Sequence, residues 1–94
     1  MTSYIMAMTL NPNAKKEHPD LTHQVDESID AFARNGIKVD QLFATLGRYD
    51  YLVLFRAEDQ TLAFKVASDI NALGLLETET WPVIPYEDYQ QLMQ

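Results

Sequence analysis

Residues Leu46–Tyr51 read LGRYDY and separate two apolar runs of the chain, VDQLFATL and YLVLF. Both runs are short and rich in strand-favouring residues, and a glycine close to an aspartate between two such runs is typical of a tight turn. The stretch therefore predicts a hairpin that joins strand two, Val39–Leu46, to strand three, Asp50–Ala57. At Gly47 the pattern predicts a positive φ, and the Asp50 carboxylate is predicted to bind a backbone N–H of the turn.

Two further strands are predicted on either side of this hairpin. The segment Tyr4–Leu10 (YIMAMTL) is short, β-compatible and apolar on both alternating faces, which predicts strand one. Leu75–Val83 contains the alternating residues ETET and predicts strand four. The polar residues of strands two and four are typical of sheet edges, whereas the apolar strands one and three are typical of sheet centres.

The two segments between strands are predicted to be helices. Apolar residues recur there every three or four positions, which is the spacing of one helix face. Asp20 is a candidate N-cap for helix one, which begins near Leu21 and ends at Gly36. The acidic pair Glu58–Asp59 opens helix two, which ends at Gly74.

The predicted order is therefore βαββαβ, followed by a short helix that begins at Pro85. This order predicts an α+β fold of the ferredoxin-like type, in which a four-stranded antiparallel sheet has two helices on one face. Right-handed crossovers place strands one and three in the centre of the sheet. A chain of 94 residues is long enough for one domain, which spans residues 1–94.

The predicted sheet has apolar side chains on both faces. Strand three places Leu52 and Leu54 on one face and Val53 and Phe55 on the other. Two helices on one side leave the other face bare, and soluble monomers avoid large exposed apolar patches. The sequence therefore predicts a homodimer packed through the sheet face, and it leaves a higher oligomer open.

Charge and composition exclude several classes of function. With 14 acidic and 7 basic residues, the chain has a formal net charge of −7 and lacks the basic surface that binds nucleic acid or anionic membranes. The absence of cysteine excludes disulfides, thiol catalysis and cysteine-based metal sites. No nucleotide, nucleophile or metal motif occurs, so we predict no cofactor and no metal. Neither a signal peptide nor a membrane-spanning apolar run is recognised, and we expect a soluble, cytoplasmic protein.

The hairpin and the C-terminal part of the chain together resemble a known family. TLGRYDYLVLF, followed by LGLLETETWPVIPYEDYQQLM, is similar to the GYD domain family, named for the glycine, tyrosine and aspartate that stand here as Gly47, Tyr49 and Asp50. The resemblance covers most of the chain and implies a dimeric α/β-barrel of the ferredoxin-like type, but it does not imply an activity. Between strand one and helix one, NPNAKKEHPDLTHQ departs from the family pattern.

Four residues are candidates for chemistry. Tyr49, Asp50 and Tyr51 could face a pocket at the hairpin, because loops often carry sites on rigid scaffolds. His23 is a candidate base, because a histidine can accept a proton near neutral pH. Glu27 lies four residues further along the helix, so the two side chains could bind one metal ion, although two ligands do not make a metal site. The alternative for all four is structural, because turn residues usually serve the turn and polar residues at a helix start are usually solvated.

A group of aromatic residues and methionines could line an apolar cavity between sheet and helices, where related dimeric α/β-barrels hold small ligands, or could simply fill the core. The candidates for ligand binding are Tyr4, Met6, Met8, Phe32, Phe43 and Phe55, and Tyr51 and Phe64 belong to the same group.

Two functions are therefore open. We favour a binding or assembly module that holds a small apolar or aromatic ligand. The alternative is a cofactor-independent enzyme, such as a monooxygenase, decarboxylase or cyclase.

Overall fold

The computed structural model of the chain describes residues 1–12 and 21–94, and for residues 21–24 it describes the backbone alone. The elements in these parts are β1 at Thr2–Leu10, α1 at Leu21–Arg34, β2 at Val39–Ala44, β3 at Tyr51–Ala57, α2 at Gln60–Ala72, β4 at Leu76–Val83 and α3 at Tyr86–Leu92. Their order confirms the predicted α+β, ferredoxin-like fold. The predicted N-cap Asp20 lies outside the described residues. Within the described ranges, we find no helix that combines the length and hydropathy of a membrane span.

The sheet has the strand order β2-β3-β1-β4, and all neighbouring strands are antiparallel. The apolar strands β1 and β3 therefore occupy the centre, as predicted. Met6 of β1 lies between Val53 of β3 and Thr80 of β4. Because side chains alternate between faces along a strand, these three residues share one face, and Ile5 and Ala7 share the other.

Helices α1 and α2 cover one face of the sheet, and the core lies between them and the sheet. On this face Phe55 stacks on Tyr4 with ring centroids 5.3 Å apart, and it meets the edge of Phe32 from α1 at 5.0 Å. The buried residues that α2 adds are Ala63, Val66 and Ile70. Truncation of a fully buried phenylalanine usually costs about 3–5 kcal/mol. This aromatic cluster is therefore a main source of stability.

The ends of the helices follow from local sequence. After α1, Gly36 adopts a φ of +70°, and the Ile37 N–H donates to the Phe32 carbonyl at 2.8 Å. This left-handed C-terminal motif satisfies carbonyls that have no partner within the helix. At the start of α2, the Asp59 carboxylate accepts from the Leu62 N–H at 3.0 Å and acts as the N-cap.

Strand β2 contains a β-bulge between Val39 and Gln41, which reverses its alternation of faces. Val39 pairs with Phe55, whose side chain belongs to the helix-covered face. Beyond the extra residue, Phe43 pairs with Leu52, which belongs to the other face. The bulge therefore moves Phe43 away from the space between the sheet and the helices, where simple alternation from Val39 places it.

The hairpin loop, Leu46–Tyr49, is closed by a hydrogen bond of 3.0 Å from the Thr45 N–H to the Asp50 carbonyl. Gly47 does not adopt a positive φ, so that prediction was wrong. The Thr45 hydroxyl holds the turn instead, because it accepts from the Gly47 N–H at 3.1 Å and donates to the Tyr49 carbonyl. A Cβ added at Gly47 meets the Thr45 Oγ1 at 3.8 Å, an ordinary van der Waals contact.

Replacement of Gly47 by alanine is expected to leave the free energy of unfolding unchanged or to raise it by up to about 1 kcal/mol, because alanine restricts the unfolded chain. The matched control, Gly36→Ala, is expected to lower it by about 1–2 kcal/mol, because alanine must adopt the left-handed conformation there. Urea unfolding at equal protein concentration, followed by circular dichroism, measures both values. Equal losses in the two variants would contradict the hairpin conformation described above.

Candidate functional site

The aspartate of the hairpin completes the main-chain hydrogen bonds at the end of β1. The Asp50 N–H donates to the Met8 carbonyl at 2.9 Å, and the Asp50 carboxylate accepts from the Leu10 N–H at 2.8 Å. If β3 were longer, one of its backbone carbonyls would accept the hydrogen bond from the Leu10 N–H. The Asp50 carboxylate accepts this hydrogen bond instead. The sequence predicted a partner within the turn, but the partner is on β1 because the hairpin folds alongside that strand.

The face of the sheet that carries no helix is called the open face. The pairing register assigns to its centre Ile5 and Ala7 of β1, Phe43 of β2, Leu52 and Leu54 of β3, and Trp81 of β4. The same register assigns polar residues to its margins: Ser3, Thr9, Gln41, Arg56, Glu77 and Glu79. Phe43 is 48% exposed and Trp81 is 38% exposed. The open face is therefore apolar in its centre and polar at its margins.

Tyr49 leaves the hairpin and reaches across the open face. Its hydroxyl donates a hydrogen bond to Glu79 of β4, with β1 lying between β3 and β4, and its ring meets the Trp81 ring edge-on at 5.8 Å. The Arg48 guanidinium lies 5.7 Å from the centroid of the Tyr49 ring, within range of a cation–π contact. The hydrogen bond to Glu79, aided by burial and by the charge of Glu79, raises the pKa of Tyr49, while Arg48 acts in the opposite direction.

A cleft of about 330 Å³ lies on the other side of the sheet, between α2 and the edge strand β4. This α2–β4 cleft is lined by Tyr4, Gln60, Ala63, Phe64, Ala67, Ser68, Asn71, Thr78, Thr80 and Pro82. All of these side chains are apolar or neutral and polar at pH 7. Phe64 is a large apolar group of the wall and is 67% exposed. The Thr80 hydroxyl is buried and has no hydrogen-bond partner among the described residues.

The residues that were predicted to line an apolar cavity are dispersed in the structure. Four of them fill the core and are fully buried: Met6, Met8, Phe32 and Phe55. Tyr4 lines the α2–β4 cleft, whereas Phe43 lies on the open face because of the bulge in β2. Phe64, from the same group, also lines the cleft.

The candidates for chemistry are not brought together. Tyr51 pairs with Met8 and is half-buried against the core, on the face opposite to the one that Tyr49 crosses. His23 lies in α1, and its side chain is outside the described part of the structure. In the described ranges, no three His, Asp or Glu side chains are grouped so that they could hold a metal ion.

Sequence reasoning did not connect the threonines of ETET with a site. Alternation along β4 places Thr78 and Thr80 on the face of the sheet opposite to that of Glu77 and Glu79, and the sequence itself shows this alternation. The sequence could not show that α2 runs beside this edge strand and leaves a cleft. The hydrogen bond of 3.0 Å from the Thr78 hydroxyl to Asn71 of α2 joins the two elements there.

Replacement of Asp50 by alanine is expected to lower the free energy of unfolding by about 1–2 kcal/mol, because the part-buried Leu10 N–H loses its acceptor. Asp50→Asn is expected to cost less, because the amide oxygen can still accept. Urea unfolding measures the free energy of each variant. Asp59→Ala removes an N-cap and serves as the reference, with an expected loss of about 1 kcal/mol. Equal stability of Asp50→Ala and wild type would contradict this role.

The Tyr49 phenol is expected to titrate above 10, its ordinary pKa, because the carboxylate of Glu79 favours the protonated form. The hydrogen bond stabilises the fold below pH 10 and is lost as the pH rises through the raised pKa. NMR of tyrosine labelled at Cζ measures this titration. Glu79→Gln should bring the pKa back towards 10, whereas Glu77→Gln should change it less. The same change in both variants would disprove the specific pair.

Solved structures with the same fold come from proteins of several kinds. TTHA0845 from Thermus thermophilus is 22% identical, with 90% of this chain and 95% of that one covered and a TM-score of 0.62. A feast or famine regulatory protein from M. tuberculosis complexed with L-methionine is 14% identical, with 90% of this chain and 51% of that one covered and a TM-score of 0.65. Prephenate dehydratase from Streptococcus mutans is 17% identical, with 84% of this chain and 40% of that one covered and a TM-score of 0.60. This chain thus spans about half of the regulator and less of the dehydratase, and these identities show the fold alone.

No curated protein matches the chain at a significant level. The model of the GYD domain matches residues 4–93. The matched range includes the signature residues Gly47, Tyr49 and Asp50 and extends from β1 to the end of α3. Because the match covers nearly the whole chain, the protein belongs to the GYD domain family.

Proposed function

We propose that the protein is a homo-oligomeric binding module in which two copies pack open face to open face and each copy holds a small, largely apolar molecule in its α2–β4 cleft. The observation that carries the proposal is the open face, where Phe43 and Trp81 are exposed although they belong to the sheet. Exposed apolar side chains framed by polar ones often mark a surface that binds another protein. A cytoplasmic location is part of the proposal and fits a chain without cysteine.

The polar groups around Tyr49 are compatible with burial between two copies. A carboxylate is costly to bury unless it is hydrogen-bonded. Glu79 already accepts a hydrogen bond from Tyr49, and Arg48 lies against the same tyrosine ring. A two-fold axis brings the same patch of both copies together, so this arrangement would occur twice in one interface.

The chemistry of the α2–β4 cleft favours an uncharged ligand. Its volume lies at the lower end of the range of about 300–1,000 Å³ that is usual for small-molecule sites. Phe64 and Tyr4 offer aromatic surface, and Gln60, Ser68 and Asn71 add neutral polar groups to the lining. A zwitterionic amino acid needs charged partners, and the described lining supplies none. We therefore propose a neutral, mostly apolar ligand.

We favour binding over the cofactor-independent enzyme because of where the candidate polar groups lie. An enzyme of that kind needs titratable groups that face the cavity. Asp50 uses its carboxylate on the Leu10 N–H, and Tyr49 uses its hydroxyl on Glu79 at the open face. Neither residue lines the α2–β4 cleft. The geometry of these two groups thus supports a role in the fold and the proposed interface.

Native mass spectrometry of protein isolated from its own host tests both halves of the proposal in one measurement. The expected species is a dimer that carries the additional mass of a small molecule. Phe43→Ser should convert the dimer to monomer, because it removes an apolar contact from the interface. Phe64→Ser should leave the dimer intact and remove the additional mass.

Two exposed leucines outside these surfaces provide matched controls. Leu46→Ser, in the hairpin loop, should leave the dimer unchanged, and Leu73→Ser, at the end of α2, should leave the bound mass unchanged. A monomer at micromolar concentration would contradict the assembly. A dimer that never carries additional mass, or carries it equally in Phe64→Ser, would contradict ligand binding in the cleft.

A further inference from the structure

Helix α3 has no buried residue and, within the described parts of the chain, no hydrogen bond to another element. None of the residues in this short helix, Tyr86–Leu92, is buried. Its ring contact is internal, between Tyr86 and Tyr89 at 6.3 Å, and its backbone hydrogen bonds stay within residues 85–94. No hydrogen bond or ion pair joins it to another element among the described residues. Isolated helices shorter than about 12–15 residues are marginal in water, so α3 requires a packing partner.

The segment around α3 is exposed along its length. We call residues 84–93 the C-terminal arm. Its exposed large side chains are Ile84, Tyr86, Tyr89, Leu92 and Met93, at 52%, 68%, 49%, 73% and 69%. The radius of gyration of the chain is 14.3 Å, and its extents are 51 × 28 × 17 Å. A compact chain of this length has a radius of about 12 Å, so the monomer is more extended than a globular domain.

The area of exposed apolar surface shows what can cover the arm. A standard interface buries about 800 Å² per partner, of which roughly 450–500 Å² is apolar. With about 150–250 Å² for a large side chain, Phe43 and Trp81 expose about 130–220 Å² on the open face. The same arithmetic gives about 470–780 Å² for the five exposed side chains of the arm. The open face alone is thus too small for a stable dimer, and the two surfaces together are sufficient.

From this we infer that the C-terminal arm packs against a second copy of the chain, so that each subunit of the dimer is completed by the arm of its partner. The inference rests on the homo-oligomer proposed above and adds a second contact surface to it. The arm begins directly after β4, whose Trp81 belongs to the open face, so its first residues leave the edge of the sheet that carries that face. One dimer can therefore cover both apolar surfaces.

The inference is tested on the full-length chain by sedimentation equilibrium. The double variant Tyr86→Ser with Tyr89→Ser removes both rings of the arm, and its dimer dissociation constant should rise at least tenfold. The matched control, Glu87→Ser with Gln90→Ser, changes the neighbouring face of the same helix and should stay within threefold of wild type. Since none of these four side chains is buried in the subunit, both variants are expected to fold as the wild type does.

Hydrogen exchange of wild-type protein provides a second readout. The α3 amides should be protected in the dimer and should exchange as in an unfolded peptide after dilution to monomer. A tyrosine variant that dimerises as tightly as wild type, or α3 amides that stay protected in the monomer, would overturn the inference.

The variant Phe43→Ser separates this inference from the proposed open-face dimer. If Phe43→Ser remains dimeric while the tyrosine variant does not, the open-face proposal fails and the arm contact stands. If Phe43→Ser is monomeric and the tyrosine variant is a normal dimer, only the arm contact fails. A wild-type chain that is monomeric at every concentration overturns both.

Discussion

Two helices can cover only one face of a four-stranded sheet, and the rest of this structure depends on that constraint. The central strands are apolar on both sides, so the helix-covered face supplies the core and the open face keeps Phe43 and Trp81 exposed. Among the elements that the structure describes, none lies over this second face. The hydrophobic effect that folds the subunit therefore also favours its association.

The three signature residues of the family act at one place, the junction of the β2–β3 hairpin with β1 and the open face. The Gly47 N–H donates to the Thr45 hydroxyl, which makes two hydrogen bonds within the turn. Asp50 extends the hydrogen-bond ladder of β1 by one acceptor. Tyr49 crosses β1 and reaches Glu79 on β4. Tyr49 and Asp50 thus connect the β2–β3 hairpin to β4 and β1, and they shape the open face.

The core and the cleft divide the aromatic residues between two roles. Phe32 and Phe55 are fully buried and pack edge to face, so they leave no room for a ligand in the centre of the subunit. A cleft remains towards the edge, where α2 passes β4 and Phe64 stays exposed. This position has a physical cause, because edge strands are covered less completely than central ones. Close packing in the centre and a cleft at the edge are therefore compatible in one small domain.

The order of strands and helices, the central position of β1 and β3 and the glycine that ends α1 could be predicted from the sequence, because each depends on local periodicity or on a backbone conformation that few residues adopt. The position of Phe43 could not, because a single extra residue in β2 reverses the face of every side chain that follows it. The partner of Asp50 could not either, because it lies on β1, forty positions away in the chain. The cleft beside β4 depends on how closely α2 approaches the sheet edge. The sequence by itself thus determined which elements form and which faces are apolar, and only the tertiary structure decided which side chains meet, because contacts across the sheet depend on register and packing that no local pattern encodes.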